Sequence, residues 1–190
     1  MGQHKGSEMR MDRINIVPFR GKTPRIDPTA WIAPGCHIIG DVEIGPDASI
    51  WYNCVLRGDS NCIRVGARSN IQDGSVIHCD AADGANPGYP TDIGEDVLVG
   101  HMAMVHGSTL MSGSFVGIGA IVMDGSVIEP GGMLAAGAML TPSKRIGSNE
   151  LWVGRPAKLL REMSQAELIR NQSGVHHYAQ LAREFRLAAS

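Results

Sequence analysis

Aliphatic residues recur every six positions along most of this chain, and that period limits what it can fold into. Ile26, Ile32, Ile38, Ile44, Ile50 and Leu56 form the first run. After three extra residues the series resumes at Val65, Ile71 and Ile77, and after ten more at Ile93, Val99 and Val105. One position is then skipped, and Leu110, Val116, Val122, Ile128, Leu134, Leu140 and Ile146 complete it. Small or modest side chains sit four residues after these aliphatics, as at Ala30, Cys36, Val42, Ala48, Cys54, Ser69, Ser75, Val97 and Ala103. A helix repeats near 3.6 and an amphipathic strand near 2. A period of six suits neither, but it suits a parallel β-helix in which each hexad supplies a short strand and its turn. The aliphatic and the small residue then point inward.

Composition narrows the function classes. The 190 residues carry a net charge of −2, and no basic run interleaves with aromatics, so nucleic acid is not the expected partner. No apolar stretch approaches the roughly 20 residues of a membrane span. The opening residues, MGQHKGSEMRMDR, lack the apolar run of a signal peptide, and a cytoplasmic location is expected. Cys36, Cys54, Cys62 and Cys79 show no CxxC pairing, which argues against a disulfide framework.

The lattice resembles the left-handed β-helix of the hexapeptide-repeat superfamily. That resemblance implies a triangular prism with three hexads per coil, and coils stacked at about 4.8 Å, the strand spacing of a sheet. The expected fold is an all-β solenoid, a left-handed parallel β-helix of hexapeptide repeats with a C-terminal α-helix. Cys36 and Cys54 then share an inward column as small buried residues. The insertions at 58–62 (GDSNC) and at roughly Cys79 to Asp92 are expected as loops on one face. Ser164 with Glu167 reads as a capping box, and Leu168, Val175, Tyr178, Ala182 and Phe185 recur at helical spacing. This gives a capping segment over 1–25, the β-helix over 26–150, and a linker plus amphipathic helix over 151–190, the helix running from about 165 to 188.

With three hexads per coil, Ile77 and Val105 lie one coil apart on one face. His78 and His106 follow them, so their rings stack, roughly 4 to 6 Å apart at this coil spacing. Arg57 shares their column. His101 follows Val99 by two, on the preceding face, and Asp73 shares its column. His101 cannot readily round the prism edge. Three prisms packed side by side would bring one chain's His101 to a neighbour's His78 and His106, and cyclic symmetry would make three equivalent sites. Arg57 would then face Asp73 of the next chain as an ion pair. His176 and His177 read as a solvated helix face. Cys79 sits beside His78, but adjacent strand residues face opposite ways.

The stretches LRGDSNCIRVGARSNIQDGSVIH (56–78), VGHMAMVHG (99–107) and VGIGAIVMDG (116–125) resemble the signature of the γ-class carbonic anhydrases and their bacterial relatives. The resemblance runs from about Val17 to Phe185. It implies that His78, His101 and His106 are metal ligands at the interfaces of a homotrimer. It further implies that Gln72 holds water at the metal, that Arg57, Asp59 and Asp73 form the interface cluster, that Asn70 orients substrate, and that Tyr178 reaches the site. Three neutral imidazoles with an open position suit catalytic Zn2+, which lowers the pKa of bound water to about 7. Fe2+ or Co2+ would accept the same ligands. The implied reaction is reversible hydration of CO2 to bicarbonate, a lyase activity. The chain departs from the archetype where proton transfer is concerned. Ser60 replaces a glutamate, and the loop after His78 has Asp80 and Asp83 but no glutamate. Low turnover is expected. The alternatives are a hexapeptide acyltransferase or thioesterase acting on acyl-coenzyme A, and a silent trimeric scaffold.

Overall fold

A computed structural model describes residues 14–188. The chain winds into a left-handed parallel β-solenoid of about 8 turns, followed by one helix. The aliphatic lattice supplies its three faces in rotation. On one face Ile38, Leu56, Ile77, Val105, Val122 and Leu140 stand in direct register, coil upon coil. Ile44, Val65, Ile93, Leu110, Ile128 and Ile146 do the same on a second. Ile32, Ile50, Ile71, Val99, Val116, Leu134 and Trp152 align on the third. All the lattice aliphatics from Ile32 to Ile146 are buried and form one continuous core.

Corners follow a rule of their own. The third residue after the aliphatic takes a positive φ, as at Gly35, Asp47, Asn53, Gly74, Asp96, Gly113 and Asn149. Glycine, asparagine and aspartate tolerate that left-handed conformation, which explains their spacing. Met102 is an exception, with φ +58 and 69% of its surface exposed. Cys36 and Cys54 lie inside the prism, where their thiols donate to the carbonyls of Trp51 (2.8 Å) and Gln72 (3.1 Å).

Residues 58–62 depart from expectation. They form no loop but run inside one continuous strand, Val55–Val65, which turns the corner beside His37–Ile44. The Gly40–Gly58 pairing allows this, because a side chain at Gly58 would collide with the Asp41 main chain. The long insertion does form a loop. Its ends are pinned by Asp80 N–H donating to the Tyr89 carbonyl at 2.8 Å, and its tip by the Asp83–Asn86 bridge.

Both ends of the stack are finished differently from its middle. Asn15–Val17 adds a parallel strand against His37–Ile39, so part of the expected capping segment is itself sheet, while its residues 1–13 lie outside the described residues. At the far end, Glu150–Val153 pairs with Met133–Leu134 and folds back onto Lys158–Glu162 as an antiparallel hairpin. The stretch read as a linker is therefore structured. A parallel stack ends in an open strand edge, and the antiparallel return covers it.

The helix α1 spans Gln165–Ala188 and buries Val175, Ala179 and Ala182. It lies against the face that carries Ile32, Ile50, Ile71 and Val99. Phe185 stacks on Trp31 with centroids 5.2 Å apart, and Arg183 pairs with Asp47 at 2.9 Å. Ser164 and Glu167 form the capping box, the Ser164 N–H donating to Glu167 Oε2 at 2.8 Å.

Two outcomes are expected. Ile128→Ala removes a fully buried side chain from a column held in register by the ladder on either side. It should cost about 2–5 kcal/mol of stability, read as a lower denaturation midpoint. The Glu167 carboxyl is held down at about 2, by Arg161 first and then by the Ser164 N–H and hydroxyl. An unfolded glutamate titrates near about 4.3. The folded value is the lower one, so the cap stabilises above about pH 4.3, and that contribution is lost as pH falls towards about 2. Helical circular dichroism should weaken over this window, and Glu167→Gln should flatten the dependence.

Candidate metal centre

His78 and His106 end equivalent strands, Val76–His78 and Met104–His106, and stand in direct register. Their ring centroids are 4.9 Å apart, and His78 Nδ1 lies 3.0 Å from His106 Nε2. The outer nitrogens meet carboxylates. His78 Nε2 is 2.9 Å from Asp59 Oδ1, and His106 Nδ1 is 2.5 Å from Asp124 Oδ1. An ionised carboxylate only accepts, so each outer nitrogen donates. Two neutral rings arranged this way turn lone pairs towards each other. At 3.0 Å those lone pairs repel unless a proton or a metal ion is shared between them. Carboxylate-oriented imidazoles with inward lone pairs are the arrangement expected around a metal. The pair fits the metal that the sequence implies.

Arg57 extends this column below His78 and donates to Asp59 Oδ2 at 2.7 Å. Burial alone would raise the Asp59 carboxyl, but hydrogen bonds from His78 and Arg57 outweigh it and hold it at about 2. Asp59 is therefore ionised, as its role as acceptor requires. Ser60 Oγ donates to Asp59 Oδ1 at 3.3 Å.

His101 lies round the corner, above Asp73. Its Nδ1 is 2.8 Å from Asp73 Oδ2, and the Tyr178 hydroxyl approaches its Nε2 at 3.4 Å. Burial first, and then the Asp73 charge, push the Tyr178 phenol upward, so it stays protonated at neutral pH. Trp51 packs edge-on against Tyr178 with centroids 5.2 Å apart. Tyr178 is thus held at a histidine as well as packed. Arg57 and Asp73, read as partners across a subunit boundary, are each engaged within the chain, by Asp59 and by His101.

The single chain does not bring the three histidines together. Among the described residues no group of three His, Cys, Asp or Glu side chains is placed to hold a metal ion. One chain presents two facing imidazole nitrogens on one face and the His101 ring on the next. Asn70 and Gln72 are buried beside this corner, where Gln72 Nε2 donates to Asn70 Oδ1 at 3.1 Å and Asn70 Nδ2 has no partner among the described residues. Cys79 Sγ turns away from the histidines, accepting the Asn61 N–H at 3.2 Å, and burial pushes its thiol up. His176 and His177 are exposed on α1.

Asp124 escaped the sequence reading, although its motif VMDG (122–125) was part of the recognised signature. Its signal was the lattice position two residues past Val122, diagonally above His106. Trp51 was missed too, because contacts through the helix leave no trace in a period of six.

Three comparisons bear on this site. Residues 23–58 match the family model for the bacterial transferase hexapeptide (six repeats). The chain is 39% identical over 153 residues to a carbonic anhydrase of Geobacillus kaustophilus, covering 80% of this chain and 81% of that one. The chain belongs to the γ-class carbonic anhydrase family. It is also 40% identical over 181 residues to mitochondrial gamma carbonic anhydrase 2 of Arabidopsis thaliana, covering 95% of this chain. It spans 65% of that relative's length, less than two thirds. A crystal structure of a hexapeptide transferase family protein from Anaplasma phagocytophilum superposes with a TM-score of 0.84, at 46% identity over 90% of this chain and 98% of that one. The family implies a metal cofactor. No helix among the described residues is long and apolar enough to cross a membrane.

The placement of the thiols has a direct readout. Cys36, Cys54 and Cys79 are buried and Cys62 is partly exposed. A thiol reagent at neutral pH should modify Cys62 alone in the native protein and the other three after unfolding. Fast native labelling of Cys79 would contradict its placement behind Arg57 and Asn61.

Proposed function

We propose that this protein is a γ-carbonic anhydrase-like metalloenzyme. It works as a homotrimer whose sites form where the His78–His106 pair of one subunit meets His101 of another. The observation that carries the proposal is the facing pair of imidazole nitrogens at 3.0 Å, each ring anchored from behind by a carboxylate. Exposed Met102, Met104 and Ile118 surround the corner at His101 and give a second prism an apolar surface to cover. Zn2+ suits three neutral imidazoles, and Fe2+ or Co2+ would accept the same donors. Such an ion supplies Lewis acidity that makes hydroxide available from water near neutral pH for attack on CO2.

The chain's own residues have separate tasks in this reading. Asp59 and Asp73 fix the ring orientations and tautomers of His78 and His101. Asn70 Nδ2 is a buried donor without a partner among the described residues, available to an oxygen of substrate or water. Tyr178 places a second donor beside His101. Proton export falls to bulk buffer, because Ser60 stands where the archetype has a glutamate and the loop after His78 holds no glutamate.

A transferase is the second reading, favoured by the likeness to a hexapeptide transferase family protein at 46% identity. A transferase needs one general base and has no use for three converging imidazoles. The deciding experiment is stopped-flow CO2 hydration by Zn2+- and Fe2+-loaded protein over a range of buffer concentrations, with coenzyme A binding measured in parallel. We expect a low rate that rises with buffer, one metal per subunit, a trimeric mass, and loss of metal and rate in His78→Ala. Full metal occupancy with no hydration at any buffer concentration, or a monomeric protein, defeats the reading.

A further inference from the structure

We infer that Asp124 is a positioning residue for the metal centre, fixing His106 so that the bound ion is retained. The inference rests on the proposed His78–His106–His101 site and deepens it.

Several observations converge on this carboxylate. Its oxygen lies 2.5 Å from His106 Nδ1. It forms no other side-chain hydrogen bond or ion pair among the described residues, whereas Asp59 is shared between His78 and Arg57. Asp124 is therefore devoted to one histidine.

The surrounding backbone holds it there. The Gly107 N–H donates to the His78 carbonyl at 3.2 Å, and the Gly125 N–H to the Gly107 carbonyl at 2.7 Å. The Ser143 N–H donates to the Asp124 carbonyl at 2.8 Å. This ladder climbs one corner of the prism and ties Asp124 to both histidines across successive coils. Gly107 keeps open the space that the carboxylate uses, since any side chain there would overlap Asp124 Oδ1 and lie 2.9 Å from Tyr89 Cβ. The ring of Tyr89, at the end of the long loop, lies along the same corner, 3.0 Å from where a side chain on Gly125 would begin. The loop thus packs beside the carboxylate that steers His106.

The chemistry follows from the donor count. Asp124 accepts the Nδ1 hydrogen and so commits the ring to the tautomer with Nε2 free. Nε2 is the atom that faces His78. Without this acceptor the ring can rotate or take the other tautomer, and the half-site loses one of its two donors. Outer partners of metal-bound histidines are typically worth about 10–100-fold in metal affinity.

The test compares full-length wild type, Asp124→Asn and Asp124→Ala. Zn2+ affinity is measured by competition with a chromogenic chelator, and ion release by trapping with excess EDTA. The expected order of affinity is wild type, then Asp124→Asn, then Asp124→Ala. The alanine variant should lose about 10–100-fold and release Zn2+ correspondingly faster, and the amide, which can still accept the Nδ1 hydrogen, should recover part of the loss. The unfolding midpoint of metal-free protein and its oligomeric mass should match wild type. Unchanged affinity in both variants, or a loss matched by destabilised metal-free protein, overturns this inference and leaves the proposed site standing. Wild-type protein that takes up no metal overturns both.

Discussion

The structure depends on one constraint, the coil-to-coil hydrogen bonding that locks each aliphatic directly above its counterpart. Because the ladder is parallel and the core column is close-packed, every outward side chain inherits a fixed height and face. His78 and His106 are 28 residues apart in the chain yet share one β-bridge position. The ten extra residues between Ile77 and Ile93 do not disturb this, since Thr91–Ile93 re-enters the lattice in register with Ile63–Val65. Lengthening a surface loop adds little closure entropy, whereas slipping the register would expel a whole column of core side chains.

The same geometry explains why one chain does not bring the three histidines together. A triangular prism is convex, so side chains on adjacent faces diverge at the corner. His78 and His106 share a face, and His101 belongs to the corner before it. Each histidine has its own carboxylate, in Asp59, Asp124 and Asp73, so all three rings are oriented within the single chain. Rings oriented in advance lose less entropy on taking up a ligand.

The helix is the other organising element, acting through aromatic contacts rather than the ladder. Phe185, Trp31, Trp51 and Tyr178 form a continuous series from the helix end to His101. Docking α1 therefore also sets the polar surroundings of His101. The exposed Met102, held at positive φ beside it, is a local cost that the corner imposes on a bulky residue.

The sequence by itself determined the solenoid and the helix with its capping box, and, with the three hexads per coil that the resemblance implied, the columns, the stacking of His78 on His106 and the separation of His101. It could do so because a β-helix converts spacing along the chain directly into height and face. Only the tertiary structure decided that residues 58–62 run straight through a corner, that 150–162 close the stack as a hairpin, and that Asp124 meets His106. These features depend on local turns, on antiparallel return and on which rotamer reaches which partner. A six-residue period fixes where a Cβ stands, but what its side chain meets across a corner or beneath a helix depends on neighbours the period does not contain.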